Sequence, residues 1–272
     1  QQQVNYKSGK ESKGALFAKN GSSTGGEHGK IKDSINSANK HIVYQYSKSE
    51  AFSPNTGKDN YVAELVVSDD GIVSLYIYQV EGGNKRYVRG TNIGKNPYVG
   101  DANDKTNIIW NWEYDAMFDI AAGDMDGDGY DEIAVYTATS DKQAVHLYKY
   151  TGGALTEITT KPVTVPSNSN ATGQNKKLGT AVVTLAFGDL NADDKDELVI
   201  AENMPYWSYN IEKGTVGIYA LENKKLEPKH NFSLQYNNDP YAIRYVNVAT
   251  GDIDGDNKDE LIAAGYYSEW NN

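Results

Sequence analysis

The sequence predicts an all-β protein made of repeated four-stranded sheets. Three segments align without gaps, AAGDMDGDGYDEIAVY from Ala121, AFGDLNADDKDELVIA from Ala186 and ATGDIDGDNKDELIAA from Ala249. Between them lie short runs rich in β-branched and aromatic residues, bounded by Gly, Asn, Asp or Pro, which is the pattern of strands and turns. No segment shows a helical period with caps. The repeating unit is therefore strand, acidic loop, strand, turn, strand, turn, strand.

The spacing of the repeats sets the predicted organisation of the chain. The first aspartates of the three segments are Asp124, Asp189 and Asp252, which are 65 and 63 residues apart. That period accommodates four strands of about six residues with their turns. A worn fourth copy begins at Ala51, with Phe52 matched to Phe187. The predicted units are about 41–100, 101–170, 171–238 and a partial 239–272, and residues 1–40 are expected to be a polar tail or a closing strand.

Charge and composition exclude several classes of function. The chain has 272 residues, with 26 Lys and Arg against 37 Asp and Glu and a net charge of -11. A protein that binds phosphate backbones needs the opposite balance, so no nucleic-acid partner is expected. No apolar run approaches the roughly 18 residues of a membrane-spanning helix, so no membrane insertion is expected.

The absence of cysteine bears on metal ligands and on location. With no Cys among the 272 residues, a metal can be held only by oxygen or imidazole ligands. Abundant Tyr, Asn, Gly and Ser without Cys is typical of a bacterial secreted or surface protein, whereas eukaryotic ectodomains normally carry disulfides. We therefore expect an extracellular or cell-surface location.

The acidic loops have the ligand spacing of a calcium site. Counting from the first aspartate, oxygen-bearing side chains occupy positions 1, 3, 5 and 9, and the position 7 carbonyl can add a further oxygen. Ca²⁺ takes about 6 to 8 oxygen ligands, whereas Mg²⁺ is rarely held in a cage made only of protein groups. The predicted ligands of about three Ca²⁺ ions are Asp124, Asp126, Asp128, Tyr130 and Glu132; Asp189, Asn191, Asp193, Lys195 and Glu197; and Asp252, Asp254, Asp256, Lys258 and Glu260.

Two details refine this prediction. Position 6 is Gly129, Asp194 or Asn257, residue types that tolerate the left-handed backbone needed to turn the loop. Asn191 removes one formal charge from the second loop, so this site is not expected to be the tightest.

The acidic loops differ from EF-hand loops. An EF-hand loop carries an acid at position 12 and is flanked by helices, but here position 12 is Val135, Ile200 or Ala263 and the flanks are predicted strands. The remaining alternative is a set of Asp- and Gly-rich turns that bind nothing. Three copies in register at a nearly constant period favour calcium.

The segments GDMDGDGYDEIAV, GDLNADDKDELVI and GDIDGDNKDELIA resemble FG-GAP (VCBS-type) repeats, the calcium-loop blades of the integrin alpha subunit and of many bacterial surface proteins. The resemblance implies a β-propeller of integrin alpha type, with calcium between the first and second strands of each blade. Only Phe187 and Gly188 preserve the Phe-Gly element. About three and a half blades are present, so further blades of the same propeller are expected to complete the ring.

The sequence also suggests a ligand-binding face. The resemblance implies that turns between second and third strands lie opposite the calcium loops, and two of these turns are rich in aromatic residues. Aromatic rings can stack on sugars or anchor protein partners. The alternative is that they pack between blades. The candidates are Tyr206, Trp207, Tyr209, Tyr266, Tyr267 and Trp270.

Two functions remain open. The first is a non-catalytic, calcium-stabilised adhesion or recognition propeller that binds a protein or carbohydrate partner outside the cell. The alternative is the propeller portion of a polysaccharide-acting enzyme, since one family of rhamnogalacturonan lyases has similar DxDGDGxDEI loops. No catalytic constellation is found, and the four His residues are scattered. The acidic chain shows no basic or His-bearing cleft, which favours the first function.

Overall fold

The fold is known from a computed structural model that describes residues 46–54, 60–67, 72–95, 118–138, 143–163, 182–203, 215–234 and 243–267. The regular structure within these ranges consists of β-strands arranged in four antiparallel sheets. The all-β prediction is confirmed. Nothing in these ranges forms a helix long and apolar enough to cross a membrane.

Each sheet is a meander in which strands pair in chain order. The first sheet contains β1 (Tyr46–Phe52), β2 (Tyr61–Val67), β3 (Ile72–Glu81) and β4 (Asn84–Lys95). The second contains β5 (Phe118–Gly123), β6 (Glu132–Ala138), β7 (Gln143–Thr151) and β8 (Ala154–Pro162). The third contains β9 (Val182–Gly188), β10 (Glu197–Asn203), β11 (Thr215–Glu222) and β12 (Lys225–Ser233), and the fourth contains β13 (Ile243–Gly251) and β14 (Glu260–Tyr267).

Consecutive sheets pack face to face, with an apolar cluster between each pair. Strand β6 shows how the sequence achieves this. Ile133 and Val135 belong to the cluster shared with the first sheet, whereas Ala134 and Tyr136 belong to the cluster shared with the third. All four side chains are fully buried. A strand buried on both faces needs a continuous apolar run, which explains the sequence IAVY at this place.

Polar contacts also tie the first strand of each sheet to the first strand of the next. Asp119 on β5 accepts hydrogen bonds from Lys48 Nζ on β1 (3.1 Å) and from the Leu185 amide on β9 (2.8 Å). Thr184 on β9 donates through Oγ1 to the Val246 carbonyl on β13 (3.0 Å). Strands β1, β5, β9 and β13 therefore follow one another as the connected edge of the four sheets.

The glycines that precede the first and second acidic loops lie where neighbouring sheets approach closely. A Cβ atom on Gly123 would lie 2.5 Å from both Phe187 Cβ and Asp196 Oδ2, and a Cβ atom on Gly188 would lie 2.7 Å from both Thr250 Cβ and Asp259 Oδ2. No side chain fits at such distances. This close approach is a physical reason for the Gly-Asp pair that opens the acidic loops.

The first sheet corrects the alignment of the worn fourth copy. In the first sheet, Phe52 and Tyr61 form the last pair before the loop between β1 and β2. In the third sheet, Gly188 and Glu197 form the corresponding last pair before the loop between β9 and β10. Phe52 therefore occupies the place of Gly188 and not that of Phe187. The sequence match was displaced by one residue because it aligned side-chain types, whereas strand pairing fixes the true register.

Candidate metal centres

The three acidic loops each join the first strand of a sheet to the second, and position 1 organises all three in the same way. Asp124 accepts hydrogen bonds from the Gly127 and Gly129 amides, each at 2.8 Å. In the other loops the position 1 carboxylates accept from the position 6 amides, Asp194 to Asp189 at 2.9 Å and Asn257 to Asp252 at 3.0 Å. The backbone thus curls around the first carboxylate.

The position 9 glutamate closes each loop from the opposite side. Its Oε2 accepts from the position 2 amide, Met125 to Glu132 at 2.9 Å, Leu190 to Glu197 at 3.0 Å and Ile253 to Glu260 at 2.8 Å. Each glutamate is the first residue of a second strand, so the sheet fixes its position. The loops therefore hold the carboxylates of positions 1 and 9 together.

The loop backbone needs two left-handed residues. The expected one, at position 6, has φ of 83° at Gly129 and 66° at both Asp194 and Asn257, which confirms the prediction. Position 4 is left-handed too, and in the second loop it is Ala192 with φ of 62°. An alanine in this conformation costs roughly 1 to 2 kcal/mol. The second loop therefore retains its shape against local strain.

Three of the predicted ligand side chains converge in the first loop and three in the third. One carboxylate oxygen from each of Asp124, Asp126 and Glu132 lies within 4.8 Å of the other two, and the same holds for Asp252, Asp254 and Glu260. Such clusters of hard oxygens suit a divalent cation of calcium's chemistry. The position 5 carboxylates, on Asp128 and Asp256, are outside these groups and accept hydrogen bonds from the position 7 amides of Tyr130 (3.0 Å) and Lys258 (2.8 Å).

The second loop differs at position 3. Asn191 Nδ2 donates to Glu197 Oε1 at 2.6 Å, and Asp193 accepts from the Lys195 amide at 3.0 Å. An amide therefore stands where the other loops have a carboxylate. To ligate a cation, Asn191 would have to present its oxygen in place of its NH₂ group. The carbonyls at position 7 remain predicted ligands.

Burial raises the proton affinity of the position 9 glutamates in the first and second loops. Burial raises the pKa of Glu132 to about 7, and burial together with Asp193 and Asp189 raises the pKa of Glu197 to about 7. The Glu132 side chain is 0% exposed and Glu197 is 5% exposed. A bound cation would favour the ionised form of both groups.

We expect the metal-free protein to lose stability as the pH rises from about 5 to about 8. Because the pKa of Glu197 rises from 4.5 to about 7 on folding, the folded protein retains a proton that the unfolded chain has released. The associated stability is fully present below about pH 4.5 and is lost as the pH rises through about 7. Urea unfolding of chelator-treated protein should show this slope. Glu197→Gln, which cannot ionise, should make it shallower, and an unchanged slope in that variant would contradict the assignment.

Position 8 has a role that the sequence did not reveal. Asp196 Oδ2 accepts from the Asp124 amide (2.9 Å), and the Asp196 amide donates to the Asp124 carbonyl (2.8 Å). Asp259 makes the same two bonds to Asp189, and Asp131 makes them to Ser53. Each position 8 aspartate thus clamps position 1 of the preceding sheet's loop. The sequence shows an Asp at position 8 in all three copies. Nothing in the sequence distinguishes this residue from the acids that serve their own loop.

Lys149 is a second residue that the sequence analysis missed. It lies on β7, the third strand of the second sheet, and its Nζ forms ion pairs with the acids of the first loop. No local pattern marks it, because the loop and the lysine are on different strands. Only the strand pairing brings them together.

The side chains of the predicted aromatic ligand face lie outside the described part of the structure. Tyr206, Trp207, Tyr209 and Trp270 lie outside the described residues. Tyr266 and Tyr267 belong to β14, but their side chains also lie outside the described part of the structure.

The fold and the loops together define an all-β protein of stacked antiparallel sheets with acidic loops between first and second strands. No protein-family model matches the chain, and no curated protein matches it. Three similar solved structures are rhamnogalacturonan lyases. They are the exotype lyase YesX (18% identity, TM-score 0.54), a PL11 lyase of Bacillus licheniformis (18%, 0.52) and YesW (17%, 0.53).

These likenesses concern the fold. They cover 84 to 85% of this chain but only 42 to 43% of each lyase chain. This chain therefore corresponds to less than half the length of the proteins it is similar to.

Proposed function

We propose that this chain is a calcium-stabilised portion of a β-propeller that belongs to a polysaccharide-acting protein. The observation that carries the calcium part is the shared construction of three loops, in which the same backbone hydrogen bonds hold the position 1 and position 9 carboxylates together. A turn that bound nothing would have no need to repeat this concentration of charge.

The sheet arrangement supports the propeller part of the proposal. Each meander places its first strand against the first strand of the next sheet, as the contacts of Asp119 and Thr184 illustrate. Radial repetition of four-stranded meanders is the arrangement of a propeller blade series. Further blades of the same ring are part of this proposal.

The donor set fits calcium. In the first and third loops the proposed ligands are the carboxylates of positions 1, 3 and 9, which already lie within 4.8 Å of one another. Bound Ca²⁺ would supply positive charge that offsets carboxylate repulsion and joins the loop to the start of the second strand. The protein's own part is to hold the oxygens in place through strand pairing and the backbone bonds of position 1.

The likeness to three rhamnogalacturonan lyases favours the polysaccharide-acting alternative over a free-standing adhesion module. In this proposal the chain contributes scaffold, and carbohydrate contacts come from the aromatic turns predicted above. An extracellular location belongs to the same proposal, because polymeric polysaccharide substrates are met outside the cell.

The calcium part can be tested by calorimetric titration of protein stripped with a chelator. We expect Ca²⁺ to bind at more than one site per chain, with Mg²⁺ much weaker. A variant that combines Asp124→Asn, Asp189→Asn and Asp252→Asn should lose this binding. Absence of Ca²⁺ binding by the unmodified protein would refute the calcium proposal.

The polysaccharide part needs its own experiment. Calcium-loaded protein should be retarded in native gels that contain rhamnogalacturonan and should migrate normally in gels that contain dextran. The polysaccharide concentration should be one that retards a known binder. Equal migration in both gels would then contradict the polysaccharide-acting function and favour the adhesion hypothesis.

A further inference from the structure

We propose that Lys149 is a tethered counter-cation that competes with the divalent metal for the first loop, so that this loop binds calcium most weakly of the three. The inference rests on the proposed calcium function and concerns the relative calcium affinities of the three loops. A count of formal charges would instead predict weaker calcium binding at the second loop, where Asn191 replaces an acid, than at the first.

The geometry places the ammonium among the acids that would bind the metal. Lys149 Nζ lies 2.6 Å from Glu132 Oε1, 2.8 Å from Asp126 Oδ2 and 2.9 Å from Asp128 Oδ2. These carboxylates occupy positions 9, 3 and 5 of the loop. The Lys149 side chain is only 15% exposed, so its charge lies inside the cluster and is not a solvated surface group. The ammonium therefore occupies the place where a divalent metal ion would bind these carboxylates.

Strand register explains why the first loop has this cation. Glu132 at the start of β6 pairs directly with Lys149 on β7, so the lysine emerges beside the loop of its own sheet. In the third sheet Leu198 pairs with Tyr219, which places Ala220 opposite Glu197. Alanine has no charge to offer, so the second loop cannot be neutralised in this way.

The proposed ligand carboxylates of the other two loops have no equivalent ion pair in the described parts of the chain. Within those ranges, no ammonium or guanidinium lies at ion-pair distance from the proposed carboxylate ligands of the second and third loops, which are Asp189, Asp193, Glu197, Asp252, Asp254, Asp256 and Glu260. The first loop thus has an ion-paired lysine among its proposed ligands, whereas Glu197 in the second loop has only the more distant charge of Lys229.

The Lys149 ammonium is paired with three carboxylates, those of Asp126, Asp128 and Glu132. To bind the first loop, Ca²⁺ has to displace this ammonium into solvent and break three ion pairs. Part of the attraction between metal and loop is thus offset by the loss of those pairs.

Calcium titration of Lys149→Met tests the inference. Methionine retains a similar length without the charge, and we expect one site to tighten by about tenfold or more, since removal of a unit charge about 4 Å away is worth at least that factor at an effective dielectric constant of about 20. Lys85→Met is the matched control, because Lys85 pairs with Glu64 at 3.7 Å in the first sheet and touches no acidic loop. Adding Asp126→Asn to Lys149→Met should abolish the tightened site, which assigns it to the first loop.

A second readout separates competition from a structural role. Lys149→Met should melt at a lower temperature than the unmodified protein in chelator, because the carboxylates lose the ammonium that pairs with them. In saturating calcium the difference should vanish. A deficit of the same size in both conditions would show that Lys149 only packs the sheet, and would overturn the proposal.

An experiment on the unmodified protein is independent of whether the variant folds. Lysine acetylation read by mass spectrometry should increase at Lys149 when saturating calcium is added, with no change at Lys85. Unchanged labelling at Lys149, or unchanged calcium affinities in Lys149→Met, would overturn this inference and leave the calcium function intact. If the unmodified protein binds no calcium at all, the proposed function fails and this inference fails with it.

Discussion

Removal of calcium should lower the melting temperature of this protein by about 10 to 20 degrees. A ligand that binds only the folded state adds about 2.7 kcal/mol per site at a hundredfold excess over its dissociation constant, so two well-occupied loops add about 5 kcal/mol. In a domain of this size each kcal/mol shifts the melting temperature by roughly 2 to 4 degrees. Three bound Ca²⁺ would also move the net charge from -11 to -5, since each ion adds two positive charges. Calorimetric melts in calcium and in chelator measure the difference directly.

A single substitution should remove part of this effect. Asp189→Asn retains one of the two oxygens that accept backbone amides in the second loop but removes the charge, so the shift produced by calcium should shrink. Glu222→Gln changes an exposed carboxylate on β11 and serves as the matched control, with the full shift expected. If the melts of the unmodified protein in calcium and in chelator superimpose, calcium does not stabilise the fold.

Gly188→Ala should destabilise the protein by about 3 kcal/mol, the upper end of what an extra methyl group costs in a tightly packed site. The new Cβ would lie 2.7 Å from Thr250 Cβ, an atom fixed to the backbone of β13, so the third and fourth sheets would have to move apart. That movement would also strain the Thr250 Oγ1 hydrogen bond to the Phe187 carbonyl and the clamp between Asp259 and Asp189. Urea unfolding monitored by circular dichroism measures the loss.

Gly153→Ala separates steric crowding from ordinary glycine effects. Gly153 has φ of 80° but nothing within 4 Å of a Cβ atom, so alanine there should cost only about 1 to 2 kcal/mol of backbone strain. If Gly188→Ala unfolds at the same urea concentration as the unmodified protein, the result contradicts the close approach of the third and fourth sheets at Gly188.

The features that the sequence determined by itself are those whose causes lie within a few residues. Runs of β-branched and aromatic residues bounded by turn residues predicted strands, and the spacing of oxygens from Asp124 to Glu132 predicted a curled loop with convergent carboxylates. The residue types at position 6 predicted a left-handed turn, because that preference is a property of one residue and its own backbone. Local chemistry of this kind can be deduced from the sequence alone.

Only the tertiary structure decided which acid serves which loop. Asp196 is 72 residues from Asp124 in the chain, yet its carboxylate clamps that loop and not its own. Lys149 enters the first loop through pairing of β6 with β7, and Gly188 is required because β13 approaches it. These roles depend on how one sheet stacks on the next. A charge or a glycine looks the same in the sequence whichever neighbour it will meet, because its electrostatic and steric effects are set by distances in space and not by separation along the chain.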